Sequence, residues 1–198
     1  VHNFTTIPDP VRHGLLYASY DGVFGSGFRG DRFETVRLHA ANQDNPRSSR
    51  GASEIKATRT VGAKLTIATV EPWHGNQVVT YTPEGKGELR RHVIDEQLRW
   101  GHAVWFADLD GDGDDELVIG VRDDPNPKLG DNFKERRGVR VYKCTDGKGV
   151  KWDRTIIEDG GVAVEDLVVA DLDGDGKPDI IAVGRATGNA RIYWNQGK

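Results

Sequence analysis

Two stretches decide the fold: AVWFADLDGDGDDELVIGVR at residues 103–122 and DLVVADLDGDGKPDIIAVGR at residues 166–185. Each is an apolar run, an Asp/Gly-rich turn and a second apolar run, which is the pattern of a hairpin. They repeat at an offset of about 63 residues, and each is followed by a matching run, GVRVYK at 138–143 and NARIYW at 189–194. A degenerate third copy is SEIKATRTVGAKLTIATV at 53–70, continued by NQVVTYT at 76–82 and LRRHVID at 89–95. A fainter fourth is GLLYASYDGVF at 14–24 with FETVRL at 33–38.

Working outward, helix signals are nearly absent, and short β-branched and aromatic runs recur at 15–20, 65–70, 77–82, 116–121, 139–142, 179–183 and 190–194. Gly, Asp, Asn and Pro bound them, so the chain reads as all-β. Four strands in roughly 50–60 residues is the size of one propeller blade. The expectation is a single β-propeller region of about four four-stranded blades, at approximately 1–45, 46–98, 99–160 and 161–198. The first blade lacks an evident innermost strand, and the last stops after its third at Trp194. Residues 4–7 resemble the outermost strand at 154–157. Either they pair with the last blade and close a small ring, or the chain is the C-terminal part of a larger ring completed by missing blades or self-association. An open edge would invite aggregation, so a partner is expected.

Composition bounds the function. The chain has 198 residues with 25 Gly, 8 Pro, one Cys and no Met, and it begins at Val1, as expected of a processed, trimmed or partial chain. At 36% apolar and 29% charged it reads as soluble and globular. No apolar run reaches the roughly 18 residues of a membrane span, and secretion to an extracellular or periplasmic compartment stays open. A net charge of −4 with mixed signs gives no case for nucleic acid. Cys144 alone forms no internal disulfide, and no Cys/His group has zinc spacing.

The strongest chemical signal is the pair of loops Asp108, Asp110, Asp112, Asp114, Glu116 and Asp171, Asp173, Asp175, Lys177, Asp179. Carboxylates at positions 1, 3, 5 and 9, with Gly at 4 and 6 and a main-chain carbonyl at 7, gather hard oxygen donors for Ca²⁺. A strand follows where an EF-hand would carry a helix, and position 12 is Ile119 or Ala182, so an EF-hand is rejected. Two structural calcium sites are expected. In the third copy Lys56, Thr58 and Thr60 stand where the aspartates would fall, so no third site is expected.

These loops resemble the FG-GAP or VCBS class of calcium-loop propeller repeats. A wider resemblance takes in EPWHGNQVVTYT from Glu71, RRHVID from Arg90, GHAVWFADLDGDGDDELVIG from Gly101 and GVRVYK from Gly138. Together they are similar to the propeller part of the aldos-2-ulose (pyranosone) dehydratase family. That resemblance implies a seven-bladed propeller followed by cupin-type domains, and dehydration of keto sugars such as aldosuloses and 1,5-anhydrofructose. The resemblance covers the propeller part of that family, with fewer blades than seven and no stretch similar to the cupin part, so the full activity is not expected of these residues alone.

Strand order puts the calcium turns at one end and function at the other. His74 lies with Trp73, Gly75 and Asn76 in a turn at that second end, where His102 and Glu165 begin innermost strands. The resemblance implies that His74 and His102 take part in β-elimination, with a second His or a bound cation stabilising the enolate. Arg50 and Asn76 would bind sugar oxygens, Trp73 would stack on a sugar face, and Glu165 would be an alternative acid or base. Trp105, Tyr142, Tyr193 and Trp194 read as core. The KERR run at 134–137 reads as a solvated loop tip, with contact to an anionic saccharide as the lesser reading. Two other functions compete: a non-catalytic carbohydrate-binding or adhesion module, since fold does not give function, and a polysaccharide lyase, which would need an extended basic groove.

Overall fold

The computed structural model describes residues 1–7, 14–41, 50–85, 87–122 and 137–197. Ser49 and residues 134–136 of the KERR run lie outside the described residues. The chain forms four antiparallel sheets with almost no helix, apart from a 3₁₀ turn at Val61–Ala63. The first sheet holds β1 (Asn3–Thr6), β2 (Gly14–Ser19), β3 (Gly22–Arg29) and β4 (Arg32–Ala40). The second holds β5 (Ile55–Thr58), β6 (Thr66–Glu71), β7 (Gln77–Pro83) and β8 (Leu89–Asp95). β9 (Gly101–Ala107), β10 (Glu116–Val121), β11 (Gly138–Cys144) and β12 (Trp152–Asp159) make the third, and β13 (Val164–Ala170), β14 (Asp179–Gly184) and β15 (Asn189–Tyr193) the fourth.

Within each sheet the strands follow chain order, because each connection is a hairpin. The sheets then stack face to face, also in chain order. β6 and β10 are buried along their whole length, since alternate side chains leave opposite faces of a strand and here both faces are covered. Ile67 of β6 packs with Leu16, Ala18 and Val23 of the first sheet, while Ala68 and Val70 pack with Val104, Leu117 and Ile119 of the third. Val118 points the other way, into Val164, Leu167, Val169 and Ile180 of the fourth. The first strands meet one another, β1 with β5, β5 with β9 and β9 with β13. At the outside, β12 alternates half-buried and exposed residues, as expected of an edge strand with one wet face.

Two expectations are corrected. Residues 4–7 are not an outer strand of the last sheet: Asn3 pairs with Ala18 and Phe4 with Tyr17, making β1 the first strand of the first sheet. That ladder is extended by His2 N donating to Ala18 O and Ile7 N to Gly14 O. The first sheet therefore does not lack its innermost strand, and the last sheet has three described strands with β15 at its edge. The third-copy register also moves. Lys56 and Thr58 lie inside β5, whose last pair is Thr58 with Thr66. Matching that pair to Ala107 with Glu116 in the third sheet puts Arg59, not Lys56, opposite Asp108.

Gly22 and Gly138 begin the third strands of their sheets with φ of +121° and +123°. A Cβ at either would sit 2.0 Å from the carbonyl oxygen of His39 or Glu158 across the ladder. Both conformation and space therefore demand glycine. Gly138→Ala should cost about 2 kcal/mol or more, measured as a lower urea midpoint at unchanged m value. A loss below a few tenths would contradict this reading of the strand start.

Candidate functional site

At the end of the sheets where the first strands begin, side chains from all four sheets meet. His2 directly precedes β1, Glu54 directly precedes β5, and His102 and Glu165 are the second residues of β9 and β13. His74 joins them from the β6–β7 turn. That turn is pinned to the connection leading into β9: Gly101 N donates to Gly75 O, Leu98 N to Asn76 O, and Asn76 Nδ2 to Glu96 O. Gly75 leaves no room for a Cβ, which would sit 2.3 Å from Pro72 O, and His74 itself adopts φ +50°. A non-glycine residue in this region marks a position that the surroundings over-determine.

The result is a cluster of three imidazoles. His74 Nε2 lies 3.1 Å from His2 Nε2. The His74 and His102 rings stack at 4.6 Å, and the His2 ring stands edge-on to His74 at 4.5 Å. On its far side His2 Nδ1 donates to Ser53 O at 2.9 Å and lies 3.1 Å from Glu54 Oε1. The tautomer is thereby fixed and the Nε2 lone pair is turned toward His74. Asn3 Nδ2 donates to Glu54 at 2.7 Å. His74 Nδ1 and His102 Nδ1 are buried without a hydrogen-bond partner among the described residues.

Burial, and then the nearby His102, His2 and Arg122, push His74 down to about 3. Burial also lowers His102, against the pull of Glu165, so both rings are neutral at neutral pH. Burial, with Asp166 nearby, pushes Glu54 up to about 8. Glu165 behaves oppositely: burial raises it, but His102 and the Arg122 guanidinium outweigh that and hold it below the usual range. Its carboxylate takes Arg122 at 3.3 Å and Arg185 at 3.4 Å and lies 3.9 Å from His102 Nε2. His2, Glu54, His74 and His102 each offer a ligand atom within 4.8 Å of the others, a group able to hold a metal ion. Donation of the second ring nitrogen to a carboxylate or carbonyl, as in His2, is the usual backing of a metal-bound imidazole.

His74, His102 and Glu165 are thus brought together, and Trp73 stands edge-on to His2 at 4.7 Å with one face stacked on Tyr20 at 4.0 Å. Asn76 instead holds the turn. Arg50 lines a separate cavity of about 420 Å³ with His39, Glu71, Gln77 and Arg91. His2 and Glu54 belong to this cluster, although the sequence reading does not single them out. Their only signal is positional, each preceding a first strand.

The acidic loops lie at the other end of the same strands, about 20 Å away along β9 at ~3.3 Å per residue. Asp108, Asp110 and Glu116 converge in one loop, and Asp171, Asp173 and Asp179 in the other. Positions 1, 3 and 9 therefore come together as expected, while position 5 is drawn off: Asp112 and Asp175 accept the main-chain N–H of Asp114 and Lys177. Asp114 accepts from Gly62 N of the second sheet, and the Lys177 ammonium pairs with Asp175. Asp108 caps its loop by accepting from Gly111, Asp112 and Gly113, and Asp171 does the same for Gly174, Asp175 and Gly176. Three converging carboxylates on so tight a turn match a hard divalent cation in donor chemistry, and each cluster is able to hold a metal ion.

No protein-family profile matches the chain. Among curated proteins, aldos-2-ulose dehydratase of Phanerodontia chrysosporium is 30% identical over 177 residues, an alignment covering 78% of this chain and 19% of that protein. The chain is thus a distant relative of part of a dehydratase and spans about a fifth of its length.

The lowered His74 has a sign. Its folded pKa lies below the unfolded value of 6.5, so the unfolded chain takes up the proton first as pH falls. In the metal-free protein, stability should be flat through this group above pH 6.5 and fall between 6.5 and about 3. His74→Gln should flatten the decline in Tm over that window, and an unchanged pH slope would contradict the reading.

Proposed function

We propose that the four sheets are blades of a β-propeller, at about 1–45, 46–98, 99–160 and 161–198, belonging to a ring that further blades complete. The reading rests on face-to-face stacking in chain order with the first strands side by side. At the strand-start end this propeller dehydrates a keto sugar, an aldosulose or anhydro-keto sugar, by β-elimination of water. The observation that carries the proposal is the set of three converging imidazoles, two of them held neutral, backed by a buried carboxyl group.

In this reading His2, His74 and His102 hold a divalent ion of borderline softness, for which zinc suits an all-imidazole set, and Glu54 orients His2 from behind. Such an ion, when bound, polarises the sugar carbonyl and acidifies the carbon beside it. Glu165 is the ionised carboxylate that accepts the α-proton, and Arg122 and Arg185 keep it charged. The hydroxyl group on the next carbon takes that proton from Glu165 as its C–O bond breaks and leaves as water, which returns Glu165 to its ionised form. The exposed side of Trp73 guides the sugar ring. Arg50 would meet only a ligand that extends past Pro72 into the neighbouring cavity. At the opposite end, the acidic loops bind Ca²⁺ as structural ions.

His74→Ala and His102→Ala should each lower formation of an ultraviolet-absorbing enone from 1,5-anhydrofructose by about 10²-fold or more. Titration calorimetry should detect zinc uptake by the unaltered chain, and each substitution should abolish it. Unchanged turnover in both variants would sink the assignment. Sugar binding without turnover in the unaltered chain would identify a non-catalytic carbohydrate-binding module instead.

A further inference from the structure

The two acidic loops repeat in sequence but not in their surroundings. In the third sheet Tyr142 pairs with Leu117, and in the fourth Tyr193 pairs with Ile180. The next residues, Lys143 and Trp194, therefore take equivalent places beside Glu116 and Asp179, the last carboxylates of the two loops. Lys143 fills its place with a cation. Its ammonium contacts Asp110, lies 2.6 Å from Asp112 and 3.6 Å from Glu116, and so touches two of the three converging carboxylates. Trp194 carries no charge. The ammonium nearest the second loop, Lys177, pairs with Asp175, which is outside the converging set Asp171, Asp173 and Asp179.

We propose that Lys143 is a tethered cation that occupies the first loop, so that the second loop is the high-affinity divalent-cation site and the first accepts a divalent ion only by ejecting the ammonium. The inference rests on the cation-binding reading of the loops and goes beyond it by making them unequal. An ammonium and a divalent ion compete for the same oxygens and repel each other, so they do not share the loop. The Lys143 side chain is 44% exposed, and contacts that wet are individually weak. A divalent ion can therefore displace it, and the first site is weakened rather than abolished. The same ammonium keeps the first loop ordered when no divalent ion is present. Through Asp114 with Gly62, and Asp115 with Thr58 and Thr60, that loop also joins the second sheet to the third.

The test is calorimetric titration of the full chain with calcium chloride. The unaltered chain should show two sites at least 10-fold apart in affinity. Asp173→Asn should remove the tighter and Asp110→Asn the weaker. Lys143→Met should tighten the weaker site at least 5-fold, and Trp194→Lys should weaken the tighter one to a similar degree. In EDTA, Lys143→Met should melt several degrees below the unaltered chain and recover when calcium is added. Two equal sites in the unaltered chain, or a weaker site unmoved by Lys143→Met, would overturn the proposal while leaving cation binding intact. No calcium uptake by the unaltered chain or by Lys143→Met would overturn both. If Lys143→Met does not fold, the Trp194→Lys arm decides alone, and an unchanged tighter site there counts against the proposal.

Discussion

Burial of the second strand on both faces is the constraint from which the other features descend. β6 and β10 expose neither face, which is possible only if each of these sheets lies between two others. A sheet so enclosed must use every position of that strand for packing, and Val118 and Ile119 accordingly serve different interfaces. The ionisable side chains of these two strands are accordingly at their ends, Glu71 in β6 and Glu116 in β10. Because the sheets stack in chain order with their first strands side by side, those ends align. Residues separated by 48 to 163 positions then share one small volume: His2, Glu54, His102 and Glu165.

Much of the strand pattern is legible in the sequence, for a physical reason. A strand buried on both faces shows as a continuous apolar run, and residues 117–121 read directly as such. Strand β1 is harder. Its four residues NFTT alternate in burial just as β12 does, and a run that short carries no mark to tell an inner strand from an outer one. What distinguishes it is the partner it pairs with, and pairing is not local information. The degenerate third copy fails similarly. Without aspartates to anchor the comparison, its turn reads three residues early, and only the pairing of Thr58 with Thr66 sets the register.

The site divides along the same line. His74, His102 and Glu165 stand out in the sequence because their segments carry a resemblance or repeat one another. His2 does not, because its neighbourhood reads as part of a different sheet. Glu54 owes its importance to burial and to its contacts with His2 and Asn3, none of which spacing reveals. The Asn76 amide secures the turn that presents His74, a contact that spacing does not reveal. In the acidic loops, spacing identifies the carboxylates that converge, at positions 1, 3 and 9. The fifth position departs from the pattern because its carboxylate closes the turn.

One strand joins the two kinds of chemistry. β9 begins beside an imidazole, His102, and runs directly into a carboxylate, Asp108. Nitrogen donors of intermediate softness and hard oxygen donors are thus mounted at opposite tips of the same rod, about 20 Å apart at ~3.3 Å per residue, a gap that no side chain of either set can span. On the metal-binding reading proposed above, ions offered to the protein would be sorted by chemical hardness according to the tip they reach. On that reading a calcium-selective chelator and a zinc-selective one would strip different tips of the same strand, so the composition of the medium would address the two ends separately.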